Sequence, residues 1–124
     1  VQFCNARFGS AMEAIGKVRP EQSPVVLRSR RDLRDAARKR SITIIVKDRQ
    51  AFSRFCQDSE LSEGTFEYLD TKAGKGSDKK PNCYSIFAAK GLEFENVVVY
   101  AKEMTVNQKI VACTRAMKEL YYYE

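Results

Sequence analysis

The 124 residues contain no histidine. That absence removes the commonest general base. The four cysteines, Cys4, Cys56, Cys83 and Cys113, are scattered with no C-x-x-C spacing, so the usual zinc shell is excluded as well and no metal site is expected. They read as buried, reduced thiols of a cytoplasmic domain. No G-x-x-x-x-G-K-[ST] phosphate loop occurs anywhere, so the chain cannot cradle a nucleoside triphosphate by itself. Long apolar runs are also missing. Ile42 to Val46 and Val97 to Ala101 fall far short of a bilayer span, and the start lacks a basic-then-apolar signal, so no membrane partner is expected. No paired carboxylates and no cysteine with an activating neighbour are evident, which ranks an independent enzyme last. The first residue is Val1 rather than methionine and Leu120 to Glu124 ends on a strand pattern, which suggests a fragment of a longer protein.

What is present is ordinary for one globular domain of 14.2 kDa: 44% hydrophobic and 31% charged residues. The net charge of +6, from 22 Lys and Arg against 16 Asp and Glu, permits a polyanionic partner. Much of the excess is local, in Arg28, Arg30, Arg31, Arg34, Arg38, Lys39 and Arg40, which at helical spacing read first as a solvated face. Lys72, Lys75, Lys79 and Lys80 fall in a loop, where a phosphate contact is the less favoured alternative to solvation.

Periodicity then orders the chain. Val1 to Phe8 reads as the tail of a helix, Val25 to Leu27 as a short strand, and Asp32 to Arg40 as a helix with Leu33, Ala36 and Ala37 inward. Ile42 to Val46 is β-branched throughout, the mark of a strand covered on both faces. Asp48 is placed to cap a helix from Arg49 to Gln57. Strands are expected at Phe66 to Leu69, Cys83 to Phe87, Val97 to Tyr100 and Glu119 to Tyr123, a loop at Ala73 to Pro81, and a helix at Val106 to Met117. Strands alternating with helices argue an α/β fold with a mostly parallel sheet, in which ligands gather at the carboxyl ends of the strands.

Two segments stand out as carriers of chemistry. In Ala88-Ala89-Lys90-Gly91-Leu92-Glu93-Phe94, Gly91 permits positive φ or close backbone approach, Glu93 offers a carboxylate to ribose hydroxyls, and Ser85 just upstream offers a hydroxyl to a phosphate. In Val111-Ala112-Cys113-Thr114-Arg115-Ala116, Arg115 has the chemistry to stabilise charge on a transferring phosphoryl group. On spacing alone a helical ion pair between Arg115 and Glu119 explains it equally well.

Taken together, Phe87 to Val99 resembles the fifth conserved motif of superfamily-one UvrD/Rep-type DNA helicases, with its K-G-L-E-F core and following buried strand. Val111 to Leu120 is similar to their sixth motif, V-A-x-T-R-A-x-x-E-L. Phe3, Cys4 and Asn5 resemble the helix that follows the fourth. The resemblance implies the second, C-terminal RecA-like domain: a three-layer α/β fold of the phosphate-loop NTPase kind, without a phosphate loop of its own.

By position, the resemblance makes Arg115 an arginine finger toward the γ-phosphate of ATP and gives Glu93 the ribose contact, with Gly91 shaping the approach. Ser85 takes the place of a threonine that touches the DNA backbone. Phe87 stands where many members have histidine, offering a ring for base stacking, with Lys90 beside it. The implied cofactor is ATP with magnesium, held mainly by an N-terminal RecA-like domain of the same polypeptide. The other implied partner is single-stranded DNA. A non-catalytic nucleic-acid-binding or protein-interaction module that keeps a helicase-like fold is the alternative.

Overall fold

The computed structural model describes residues 24–71 and 79–124. In chain order they form β1 (Val25–Leu27), α1 (Arg30–Ala37), β2 (Ile42–Val46), α2 (Arg49–Ser59), β3 (Glu67–Leu69) and β4 (Asn82–Ser85). There follow α3 (Ile86–Ala89), β5 (Phe94–Tyr100), α4 (Val106–Cys113) and β6 (Ala116–Tyr123). The six strands make one sheet in the order β1-β6-β5-β2-β4-β3, and every pairing is parallel.

Helix starts follow from side-chain chemistry. The orphan N–H groups of a first turn need acceptors, which the Ser29 hydroxyl and the Asp48 carboxylate supply to Asp32 N at 3.1 Å and Ala51 N at 2.9 Å. Thr105 and Gln108 close a reciprocal capping box on α4, at 3.1 and 3.0 Å. The α2 helix ends at Glu60, which takes a left-handed φ of 60°.

The period of two along each strand divides the core in two. Ile42, Ile44, Val46, Val98, Tyr100, Tyr121 and Tyr123 point to one face, where α1 and α2 cover them with Leu33, Ala36, Phe52 and Phe55. Ile45, Val97, Val99, Leu120 and Tyr122 point to the other, under Ala88 and Ala89 of α3 and Ala112 and Cys113 of α4. The result is the three-layer α/β arrangement expected of a RecA-like domain. Ile44, Ile45, Val97, Val98 and Val99 are all fully buried, which is why their segments read as unbroken apolar runs. Cys56, Cys83 and Cys113 are free and buried, and burial pushes the Cys56 thiol up to about 11 and the Cys113 thiol up to about 12.

Several boundaries differ from those that periodicity predicts. The strand expected from Cys83 to Phe87 stops at Ser85, because the Ser85 hydroxyl accepts the Ala88 N–H at 3.1 Å and starts α3. The helix expected to run to Met117 stops at Cys113. Thr114 turns back on the helix, with its hydroxyl donating to Val111 O at 3.0 Å, and Arg115 O accepts Phe94 N at 2.8 Å, so the β5–β6 ladder captures Ala116 onward. Arg115 is therefore on a two-residue link rather than on a helix. The helix read from Asp32 begins at Arg30 and ends at Ala37, and that read to Gln57 runs on to Ser59. The helix tail expected at Val1 to Phe8 and most of the loop expected at Ala73 to Pro81 lie outside the described residues.

Candidate functional site

The two segments singled out by sequence meet where β5 and β6 begin. Phe94 pairs with Ala116, so Gly91 and Glu93 just before one and Arg115 just before the other are brought to the same place. Gly91 has a φ of 86°, a conformation that a residue with a Cβ adopts only at a cost, and it turns the chain from α3 into β5. The half-buried guanidinium of Arg115 donates to Leu92 O and to Thr114 Oγ1, both at 3.3 Å, and its buried Nε has no hydrogen-bond partner. These acceptors are neutral. Among the described residues Arg115 makes no ion pair, and Glu119, the alternative partner, lies on β6 and accepts a hydrogen bond from the Tyr121 hydroxyl at 3.1 Å instead.

This grouping corrects one expectation. Sequence reasoning put the site at the carboxyl ends of the strands, whereas Gly91, Glu93 and Arg115 gather at the amino ends. The physical reason is the brevity of the α3 crossover: it carries the chain back from the end of β4 to the start of β5, so a segment that follows one strand in sequence precedes the next in space.

The carboxyl rim is occupied by its own charges. Asp58 accepts hydrogen bonds from the Tyr100 hydroxyl and from Lys102 Nζ at 3.1 Å, and lies 3.5 Å from the Arg30 guanidinium. Burial works to raise its carboxyl. The hydrogen bonds from Tyr100 and Lys102, with the charges of Lys102 and Arg30, outweigh burial and hold it below the ordinary range. Arg54 pairs with Glu103 at 2.9 Å, and Lys109, 1% exposed, pairs with Glu124.

The candidate nucleic-acid residues are placed apart from Arg115. Ser85 ends β4, is 1% exposed, and uses its hydroxyl as the α3 cap. Phe87 is 60% exposed and lines an open pocket of about 280 Å³ with Ile86, Lys90, Asn107, Gln108 and Val111. Sequence reasoning missed the last three, which reach Phe87 only because α3 packs beside α4. A second open pocket, of about 500 Å³, lies where β2 and β4 begin and is lined by Lys39, Arg40, Lys79 and Lys80 among others. The loop lysines were flagged by composition, but their neighbours on α1 read as plain surface.

No family model matches the chain, and no curated protein is similar to it at a significant level. Among solved structures, it is similar to the C-terminal domain of a possible DNA helicase from Lactobacillus plantarum WCFS1, with a TM-score of 0.57 and 20% identity. The match covers 82% of this chain and 72% of that one. At that identity the likeness establishes the fold, a helicase C-terminal domain fold.

Proposed function

We propose that the chain works as the second motor domain of an ATP-driven DNA helicase of the UvrD/Rep-like kind, facing a phosphate-loop domain that this sequence does not contain. One observation carries the proposal: Arg115 stands unpaired by any carboxylate at the start of β6, hydrogen-bonded to the Lys90–Glu93 turn at the start of β5. An arginine with neutral acceptors and a partnerless Nε keeps its charge for a ligand.

In this proposal Arg115 meets the γ-phosphate and Glu93 the ribose. Gly91, open around its Cβ position, lets the backbone come close. ATP and its magnesium are held chiefly by the facing domain; bound there, they supply the phosphoanhydride whose developing charge Arg115 offsets. Phe87 and Lys90 face single-stranded DNA, a ring for a base and a cation for a phosphate, while Ser85 sets the start of the helix that presents them. Closure of the two domains on ATP and opening after hydrolysis would shift these grips along the strand. The location proposed is cytoplasmic; no described helix is long and apolar enough to cross a membrane.

The decisive test uses the polypeptide that carries both domains. Arg115→Ala is expected to lower DNA-stimulated ATP hydrolysis by about a thousandfold or more, Arg115→Lys is not expected to rescue it, and the thermal melt should stay near wild type. Hydrolysis at the wild-type rate in Arg115→Ala would overturn the assignment.

A further inference from the structure

We infer that the amino rim carries a second binding site, the pocket between the starts of β2 and β4, which grips consecutive phosphates of a nucleic-acid strand without reading its bases.

The fold itself assembles this pocket. Thr43 of β2 pairs with Asn82 of β4, so the residues just before each strand, Lys39 to Ser41 and Lys79 to Pro81, are forced side by side at about 5 Å, the spacing of neighbouring strands. Ser41 takes a left-handed φ of 58°, which turns the end of α1 into β2 beside the pocket. Lys39, Arg40, Lys79 and Lys80 line it, and no Asp or Glu does. Bringing like charges together costs self-repulsion, which an acidic residue in the lining would relieve. On the carboxyl rim that relief is present, where Asp58, Glu103 and Glu124 meet Arg30, Lys102, Arg54 and Lys109.

The neutral members of the lining narrow the ligand. Ser41, Thr43 and Asn82 bring hydroxyl and amide groups, which with lysine and arginine are the usual donors to phosphate oxygens. No aromatic residue lines the pocket, so it has no platform on which a base stacks. Its open volume of about 500 Å³ suits a chain that passes through. A backbone grip indifferent to sequence follows. The pocket lies on the same rim as Arg115, two strand spacings or about 10 Å along from β6 to β2. The inference stands on the pocket's own charge and shape and not on any role of Arg115 toward ATP.

The test therefore leaves ATP out. Binding of a fluorescent oligothymidylate to the 124-residue chain is followed by anisotropy over a series of salt concentrations, for wild type, Arg40→Glu/Lys80→Glu, and a charge-matched control on the opposite rim, Arg28→Glu/Arg31→Glu. The pocket variant is expected to weaken binding by about tenfold or more and to reduce the slope of log K against log salt by about 1.4, the value for two lost contacts on a single strand. The control should stay within about threefold of wild type. Arg40→Lys/Lys80→Arg should bind as wild type does, and circular dichroism confirms the fold of each. Equal weakening by both charge-reversed pairs would mean net charge alone and overturn the inference. So would unchanged binding by the pocket variant, or a wild-type chain that binds tripolyphosphate but not the oligonucleotide.

Discussion

Replacing Gly91 by alanine tests the geometry of the candidate site without removing any functional group. Its φ of 86° lies in the region where a Cβ crowds the following carbonyl, at a cost of about 1–2 kcal/mol. Nothing lies within 4 Å of the position that the new methyl group would take, so no steric term adds to this. Alanine in place of glycine also restricts the unfolded chain, which is worth about 0.4–1 kcal/mol in the stabilising direction. A second glycine allows that term to be subtracted. Gly64 also has no atom within 4 Å of its Cβ position and does not have a positive φ, so Gly64→Ala should carry the unfolded-state effect alone and stabilise slightly. The difference between the two variants then isolates the backbone cost at Gly91, expected at about 1–2 kcal/mol in urea titrations followed by circular dichroism. Gly91→Asn should recover part of it, because asparagine tolerates the left-handed region. Equal stabilities for the two alanine variants, or a loss above about 4 kcal/mol at Gly91, would refute the geometry: the first denies the positive φ, the second requires a clash that the open surroundings rule out.

Three further outcomes are expected. Asp58 has its carboxyl held below the ordinary range in the folded state, so it stabilises the fold above the unfolded value of about 4, and that contribution is lost as pH falls through the lowered folded value. Asp58→Asn should accordingly be less stable than wild type at pH 7, and the gap should close in urea titrations carried down to about pH 3. Thr105→Ala removes the acceptor for Gln108 N at 3.1 Å and should cost about 1 kcal/mol in the same titrations, with Thr105→Ser close to wild type. Lys109→Ala leaves Glu124 without its buried partner beside a void and should lower stability by about 2–4 kcal/mol, whereas Lys109→Met, which fills the space, should recover a good part of the loss in thermal melts.

The parts of the fold legible in sequence are those whose cause is local. The β-branched run Ile42 to Val46 could only be a strand covered on both faces, and the structure buries Ile42, Ile44, Ile45 and Val46 accordingly. Asp48 announced its helix by the chemistry of its own carboxylate. Boundaries set by partners far along the chain were not legible in that way. Val106 to Met117 keeps a helical pattern past Cys113, yet Phe94, remote in sequence, claims Arg115 O and pulls Ala116 into the sheet. Phe87 read as a strand residue until Ser85 used its hydroxyl to start a helix instead.

The candidate site divides along the same line. Which residues carry the chemistry, Arg115, Glu93 and Gly91, was legible because a guanidinium, a carboxylate and a missing Cβ are properties of the residues themselves. Where they gather was decided by the sheet: parallel pairing of β5 with β6 sets both segments at the amino rim, and pairing of β2 with β4 draws Lys39 and Arg40 up to Lys79 and Lys80. Composition and local pattern act over one or two turns of chain, so they determine element type, the layered fold class and the reactive inventory. Strand order acts between residues tens of positions apart, and only it decides which charges share an edge and which are neutralised by carboxylates on the other.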